Sequence, residues 1–213
     1  MSRADVYASE RLPAEFYERP VHELATDMLG RFICHDDGET MRVARIVETE
    51  AYGGGPDPAC HGDGGVPTNR TRPMFGPPGV AYVYLIYGMY HCFNVVSSPD
   101  GTAAAVLVRA AEPVDGIDSM LGARNLGIHD ARPATLRQLM SGPGKLCQAL
   151  GITRDAHSGT SLQSDSLFIG SGVPTESSTI ARTKRIGLNP KTVGDAIEWP
   201  WRYLDTTSKH LSR

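Results

Sequence analysis

The sequence lacks features that would mark several large classes of protein. No window reaches the roughly 18 consecutive apolar residues that a membrane span needs, and residues 1–10 (MSRADVYASE) hold no apolar signal-peptide core. The four cysteines are scattered without a CxxC pair, which disfavours both a disulfide framework and a zinc ribbon. We therefore expect a cytoplasmic protein, nucleoid-associated if bacterial, with no membrane partner.

Common catalytic signatures are also missing. The chain has no GxSxG elbow, no Walker loop and no GxGxxG after a strand, which disfavours serine hydrolases, nucleoside triphosphatases and dinucleotide-binding enzymes in their usual forms. Lysine is sparse as well, since Lys145 is the only one before residue 184. The absence of a lysine near any candidate site argues against Schiff-base lyase chemistry.

A basic surplus, the usual mark of a nucleic-acid binder, is missing from the total charge. The 213 residues carry 21 Lys and Arg against 24 Asp and Glu, for a net charge of −3. The distribution is uneven, because residues 1–60 hold 6 basic and 12 acidic side chains, whereas residues 176–213 hold 7 and 4. This gradient permits an anionic partner at one face, but ordinary solvated charges explain it equally well.

Hydrophobic periodicity predicts one α+β domain. Helices are expected over 20–29, over 133–140 and from about Ser141 onward, and strands over 41–50, 80–86 and 103–109. Between them, residues 53–78 hold six prolines and seven glycines, which exclude a long helix or a central strand. A loop of this length inside a compact domain is usually functional or disordered, and its aromatic and His content favours function.

Two carboxylates lie on one predicted strand beside this loop. Alternation places Ile46, Glu48 and Glu50 on the same face of the strand. A carboxylate there could act as a general base if it is held within hydrogen-bond reach of a water molecule, although a pair of surface glutamates is the alternative. Arg109, at the end of an apolar run, is the natural counter-charge, either for a catalytic carboxylate or in a structural ion pair.

An aromatic segment, YVYLIYGMYHCFN over 82–94, holds four of the eight tyrosines. Gly88 permits a tight turn that would expose Tyr87, Met89 or Tyr90 at its tip. Exposed aromatic rings can stack on bases or wedge between base pairs, whereas aromatic core packing is the plainer alternative.

Two further patterns were weighed for ligand binding. His61, Cys60 and Cys92, together with Glu48 and Glu50, lack the spacing of a metal site, so we expect no metal. The segment 141–150 resembles a capped helix start that Gly151 ends, and its free N–H groups with Lys145 could bind a phosphate. An ordinary capped helix is the alternative.

Taken together, these segments resemble the alkyladenine (3-methyladenine) DNA glycosylase family of base-excision repair. The likeness is carried by RLPAEF at 11–16, RIVETEAY at 45–52, RAAEP at 109–113, and the segments 82–94 and 141–150. It covers most of residues 11–205. We expect a single compact domain over 11–205, flanked by tails at 1–10 and 206–213, with a curved antiparallel sheet, surrounding helices and a protruding hairpin.

The resemblance implies a monofunctional glycosylase without a cofactor, acting as a monomer on double-stranded DNA that contains damaged purines. Such an enzyme flips 3-methyladenine, 7-methylguanine, hypoxanthine or ethenoadenine out of the duplex and hydrolyses its N-glycosidic bond. Glu50 corresponds to the general base that activates the attacking water. Arg109 corresponds to its partner in placing that water.

The same resemblance assigns the base pocket and the DNA contacts. Tyr52 and Tyr84 would sandwich the flipped purine, with His61 at its edge, the Ala59 amide on its N7, and Asn94 excluding guanine by a clash with the 2-amino group. Tyr87 would fill the vacated place in the base stack. The remaining expected DNA contacts are Met89, Ser141, Gly142 and Lys145.

Two other functions remain open on the sequence alone. One is a non-catalytic module that binds damaged DNA through the Tyr87 hairpin. The other is a two-carboxylate hydrolase of small glycosides or nucleosides that uses Glu48 and Glu50. Residues two apart on one strand are poorly placed for an inverting pair, whose carboxyl groups stand about 6.5 to 9.5 Å apart.

Overall fold

The protein is built around one antiparallel sheet. A computed structural model describes residues 7, 10–53, 56–97 and 102–212. Eight strands in these ranges form the sheet: β1 (Phe32–Asp36), β2 (Met41–Gly53), β3 (Ala81–Ile86), β4 (Tyr90–Val96), β5 (Ala104–Asp115), β6 (Leu167–Gly170), β7 (Ile180–Thr183) and β8 (Arg202–Asp205). Their order is β3-β4-β5-β2-β1-β6, and β8 pairs with both β2 and β7. The strand pairs are antiparallel and the sheet is curled, as predicted. Together with the helices that surround it, this confirms the predicted α+β domain.

Six helices surround the sheet in the described ranges: α1 (Val21–Asp27), α2 (Ile117–Ala123), α3 (Pro133–Leu139), α4 (Pro143–Leu150), α5 (Arg154–His157) and α6 (Pro190–Val193). Five short 3-10 segments add to them: Ala14–Tyr17, Arg72–Phe75, Ile128–Asp130, Ser177–Thr179 and Gly194–Glu198. The three predicted helices are confirmed as α1, α3 and α4. The predicted long loop is confirmed in its described part, where a single 3-10 turn is the only regular element.

One face of the sheet forms the main hydrophobic core. Leu24 and Ala25 of α1 are fully buried in the same cluster as Val106 and Val108 of β5. Thr49 of β2 donates a hydrogen bond from its hydroxyl to the Ala25 carbonyl at 2.7 Å, which ties the strand to this helix. The opposite face is therefore left to carry the polar site.

Two of the three register shifts between β2 and β5 decide which side chains reach that opposite face. Ile46 pairs with Ala111 and Glu48 with Ala110, so Val47 is an extra residue in β2. Thr49 pairs with Val108, so Arg109 is an extra residue in β5. Such bulges turn side chains to the other face of a strand.

The bulges correct one prediction. Ile46 lies in the main core, as does Ala51, although strict alternation would place these two side chains on opposite faces. Glu48 and Glu50 instead meet Arg109 on the other face. The expectation that Ile46 shares a face with the two glutamates is therefore wrong, because an uninterrupted alternation was assumed.

The β3–β4 hairpin carries the aromatic segment. Its turn is closed by a hydrogen bond from the Met89 amide to the Ile86 carbonyl at 3.2 Å, and both Tyr87 and Gly88 have positive φ, 54° and 68°. The Tyr87 side chain is 79% exposed and that of Met89 64%. The prediction that this turn exposes Tyr87 and Met89 is confirmed, and a tyrosine held in the left-handed region is a strained feature typical of functional sites.

Helix α4 packs closely against this hairpin. A Cβ atom on Gly144 would lie 3.0 Å from the ring of Tyr90, so the missing side chain lets the first turn of the helix approach β4. Gly151 ends the helix with a positive φ of 74°, as predicted. No side chain caps the start, however, because the N-cap residue is Gly142; the Ser141 hydroxyl donates to the Gln138 carbonyl.

The segment after β8 packs back onto the sheet. Ser208 donates from its hydroxyl to Glu112 at 2.7 Å, and Ser212 donates from its amide to Glu48 at 2.6 Å. The boundary expected at residue 205 stays a prediction, but the described residues 206–212 are held by the domain. The tail expected at 1–10 lies largely outside the described residues.

Two buried histidines join α4 and α5 to strand β1. The ring nitrogens Nε2 of His35 and His157 lie 3.0 Å apart, and Nδ1 of His35 lies 2.6 Å from the Leu150 carbonyl, which can only accept. The Thr153 amide donates to Nδ1 of His157 at 3.0 Å. This chain of bonds is complete when both rings are neutral. Burial lowers the pKa of both histidines. The nearby Arg42 charge lowers the pKa of His35 further, and His35 does the same to His157.

We expect this pair to make folding stability depend on pH. The pKa values are lowered in the folded state, so the unfolded chain binds more protons, and stability present above about pH 6.5 is lost as the pH falls below it. Urea unfolding at about pH 7.5 and about pH 5 measures this loss. The loss should be smaller in His157→Gln and unchanged in the control His129→Gln, whose side chain is 85% exposed. An equal loss in His157→Gln and in the wild type would contradict the assignment.

Candidate active site

A cavity of about 480 Å³ opens between the hairpin, the start of α4 and the loop that follows β2. Ten of the twelve predicted site residues line it: Tyr52, Ala59, His61, Tyr84, Tyr87, Asn94, Arg109, Ser141, Gly142 and Lys145. Met89 lies outside it on the hairpin tip, and Glu50 lies behind its wall. The fold therefore brings together segments that are distant in sequence.

Glu50 is fully buried beneath this wall. Its Oε1 accepts a hydrogen bond from the Ile186 amide at 2.7 Å, and its Oε2 accepts from the Tyr52 hydroxyl at 2.7 Å and from Arg109 Nη1 at 3.2 Å. All three donor residues line the cavity. Burial raises the pKa of the Glu50 carboxyl, and the Arg109 charge and the two other donors offset this only in part. The carboxylate is thus bonded to three residues of the cavity wall, and its raised pKa makes it more basic than a solvated glutamate.

Arg109 bridges the two glutamates. Its Nε donates to Glu48 Oε1 at 3.0 Å, while its Nη1 donates to Glu50. Burial opposes the charge on Arg109, but the two carboxylates together raise its pKa. Glu48 also accepts from Arg202 and from both the amide and the hydroxyl of Ser212. Both glutamates therefore lie on the same side of the cavity, which disfavours an arrangement of two carboxylates flanking a glycoside.

His61, at the edge of the cavity, is held in one tautomer by its hydrogen bonds. Arg70 Nη2 lies 3.3 Å from His61 Nε2, and a guanidinium can only donate, so Nε2 accepts. Nδ1 then donates to the Tyr82 hydroxyl at 2.9 Å. Burial, with a smaller contribution from Arg70, lowers the pKa of His61 to about 4. His61 is therefore neutral near pH 7 and packs edge-on against Tyr84, with ring centroids 4.7 Å apart.

Asn94 is held rigidly in the cavity wall. It pairs with Tyr82 across the hairpin, and its Nδ2 donates to the Tyr82 carbonyl at 2.9 Å and to the Cys92 carbonyl at 3.3 Å. Both N–H groups of the amide are therefore engaged, and the side chain is fixed in one orientation.

The amide of Ala59 already has a partner within the protein. It donates to Asp57 Oδ1 at 3.0 Å, so the N–H group expected to bind a purine N7 is already engaged within the protein. Ala59 itself lines the cavity. The sequence analysis missed this competition because it gave Asp57 no role.

Arg185 is another residue that the sequence analysis missed. It is fully buried, forms two hydrogen bonds with Asp57, and places its guanidinium over the rings of Tyr52 and Trp201. The segment 173–213 has no clear periodicity, so its pattern gave no signal for a buried arginine. The only available hint was the excess of basic over acidic side chains in residues 176–213.

Lys145 corrects a further expectation. It lines the cavity, and its Nζ lies 3.5 Å from the Ser141 hydroxyl. The argument that no lysine lies near the site is therefore wrong, because α4 packs against the hairpin and brings its first turn to the cavity.

The described part of the chain contains no cluster of three or more His, Cys, Asp or Glu side chains that could hold a metal ion. Its four cysteines are unpaired and buried. Within the same ranges, no helix has the length and apolar character needed to cross a bilayer.

Comparison with known proteins identifies the family. The family model for methylpurine-DNA glycosylase matches residues 15–209. A protein of Alkaliphilus oremlandii is 43% identical over 204 residues, covering 95% of this chain and 99% of its own length. One from Bacillus cereus strain AH820 is 48% identical over 194 residues, covering 90% and 93%. Both bear the name "Putative 3-methyladenine DNA glycosylase".

The match spans the whole cavity, including the strand that bears Glu50, the hairpin and the first turn of α4. This chain therefore belongs to the methylpurine-DNA glycosylase family and is a DNA glycosylase, a hydrolase of N-glycosyl bonds in base-excision repair.

Proposed function

We propose that the protein excises alkylated or deaminated purines from duplex DNA by flipping the base into the cavity and hydrolysing its N-glycosidic bond with a water activated by Glu50. The proposed substrates are 3-methyladenine, 7-methylguanine, hypoxanthine and ethenoadenine. The single observation that carries this proposal is the position of Glu50, buried directly behind three cavity-lining donors.

The hydrogen bonds around Glu50 leave one acceptor site of the carboxylate for a nucleophilic water. An ionised carboxylate has about four acceptor sites, and the described residues use three of them. The remaining site on Oε1 can accept the proton of a water molecule. Arg109, which lines the cavity beside Glu50, can orient the same water with a donor of its guanidinium.

The electrostatics favour this chemistry over simple binding. Cleavage of an N-glycosidic bond develops positive charge on the sugar, and a carboxylate on the face opposite the departing base stabilises that charge. A raised pKa also makes Glu50 a stronger base at neutral pH, provided that it remains ionised. A module that only bound damaged DNA would not need Glu50 to keep an unused acceptor site, which the equally buried Glu48 and Asp57 do not have.

The base itself would lie between aromatic walls. Tyr52 and Tyr84 line the cavity with His61, which is neutral and therefore does not repel a cationic alkylated purine. We propose that Asn94, whose orientation is fixed, clashes with the 2-amino group of guanine. The cavity volume of about 480 Å³ is sufficient for one purine.

The hairpin and α4 would hold the duplex. Tyr87 projects from a strained turn, and an inserted ring can replace the flipped base in the stack. Met89 on the same tip and the first turn of α4, with Ser141, Gly142 and Lys145, would contact the DNA backbone. We propose that the protein acts as a monomer and releases the base without cutting the strand.

Glu50→Gln should bind lesion DNA but release base roughly 100-fold to 10,000-fold more slowly, because an amide can neither take the proton of the water nor supply negative charge. Single-turnover release of free base measures the rate. Glu48→Gln is the matched control and should lose much less. Near wild-type release by Glu50→Gln would contradict the mechanism. Trapping of the protein on DNA by borohydride through Lys145 would also contradict it, because it would indicate Schiff-base chemistry.

Asn94→Ser should relax the exclusion of guanine, because the shorter side chain relieves the proposed clash. The ratio of guanine release to hypoxanthine release from mismatched duplexes should rise on the order of 10-fold. Hypoxanthine serves as the internal control for the folded fraction. An unchanged ratio would place the gate at another residue.

Tyr87→Ala should weaken base flipping by about 5-fold to 150-fold, because one stacked base is worth about 1 to 3 kcal/mol by alanine substitution. Fluorescence of 2-aminopurine beside the lesion reports the flipped fraction. The melting temperature of the free protein should barely change, since the ring is 79% exposed. A large loss of melting temperature would instead indicate a packing role.

A further inference from the structure

We propose that Arg185 is a positioning residue for base excision, which holds the Ile186 amide that donates to Glu50, the ring of Tyr52 and the segment 57–59 before His61 in one geometry. The inference rests on the proposed function, because Arg185 acts through groups assigned to that reaction. It does not line the cavity itself.

The starting observation is a buried ion pair. Arg185 donates to the two carboxylate oxygens of Asp57 at 2.7 and 2.9 Å, and both side chains are 0% exposed. Arg185 also donates to the Ala51 carbonyl at 3.0 Å. Buried ion pairs are weak sources of stability, since apolar residues of similar volume often stabilise a fold as well. Their value lies in fixing geometry, and the surroundings of this pair indicate which geometry it fixes.

Asp57 links Arg185 to the backbone amides of Gly53 and Ala59. Besides the two bonds from Arg185, it accepts one from the Gly53 amide and one from the Ala59 amide, each at 3.0 Å. These four bonds use the full acceptor capacity of a carboxylate. The Gly53 and Ala59 amides are therefore both tied to Arg185 through the Asp57 carboxylate, and Ala59 lies two residues before His61.

The guanidinium also positions an aromatic wall. Its central carbon lies 4.7 Å from the centroid of the Tyr52 ring and 4.9 Å from that of Trp201. A cation over an aromatic face is attracted by the ring quadrupole. Because the Tyr52 hydroxyl donates to Glu50, fixing the ring also fixes that hydrogen bond.

The third link runs through the backbone. Ile186 follows Arg185 directly, and its amide donates to Glu50 Oε1 at 2.7 Å. Anchoring the Arg185 side chain at three acceptor atoms fixes the peptide that bears this donor. One buried guanidinium thus acts on two of the three donors that hold the catalytic carboxylate.

Arg185→Lys tests this role, because it keeps the charge but loses the planar, two-pronged contact with Asp57. Single-turnover release should be measured against pH with the lesion that the wild type excises fastest, at a fixed concentration of folded protein. We expect a rate loss on the order of 100-fold, because small displacements of a catalytic group are costly. We also expect the acid limb of the pH profile to move to higher pH, since a weakened Ile186 bond favours protonated Glu50.

Arg182→Lys is the matched control. Arg182 is exposed, lies three residues away and places its guanidinium over the ring of Tyr203, outside the cavity. Its rate and pH profile should equal those of the wild type. A folded Arg185→Lys protein with a wild-type rate, or with an unmoved acid limb, would reduce the ion pair to a structural role and overturn the inference.

Trp201→Leu decides the matter if Arg185→Lys does not fold. This change removes one of the two aromatic rings that pack against the Arg185 guanidinium and alters no buried charge. A smaller upward shift of the acid limb would support the inference, and an unchanged limb would overturn it. Failure of the wild type to release any of the four lesion bases would instead overturn the proposed function.

Discussion

The arrangement of the site depends on Arg109 lying between two carboxylates that are closed off from solvent. Glu48 and Glu50 are both 0% exposed, and neither could be buried as an anion without a cation at hydrogen-bond distance. Arg109 supplies that cation to both, and so joins β2 to β5 through side chains as well as through the backbone. The bulges at Val47 and Arg109 are the backbone adjustment that this contact requires. Without them, strict alternation would point the charges and the core residues to the wrong faces.

The two glutamates have different surroundings, although they are two residues apart. Glu48 is saturated by donors from Arg109, Arg202 and Ser212, of which only Arg109 lines the cavity. Glu50 keeps an unused acceptor site and lies against the cavity wall. The same residue type therefore serves as an anchor in one position and as a candidate base in the other, and the difference arises from the number of donors around each carboxylate.

Local patterns in the sequence were sufficient for much of the fold. Helix α1 begins after a proline, the long loop is rich in glycine and proline, and the exposed turn at Tyr87 follows from the glycine beside it. The face of Ile46 was not predictable, because a bulge depends on what the neighbouring strand needs and leaves no clear local mark. Arg185, Asp57 and Ser212 could not be found for a related reason, since each acts on residues more than 100 positions away in the chain.

The same long separations govern when the site can form. The partners of Glu48, which are Arg109, Arg202 and Ser212, lie 61, 154 and 164 residues further along the chain. Strand β2 also pairs with β8 as well as with β5. Contacts of such range close late in folding, because the entropy of a large loop must be overcome first. During synthesis, the hairpin and the aromatic walls emerge from the ribosome well before Arg185, Arg202 and Ser212. If Glu50 is the catalytic base as proposed, a chain that ends before Ile186 would carry the hairpin and the aromatic walls but lack one of the three donors to this carboxylate, and hydrolysis would begin only after the later segments dock.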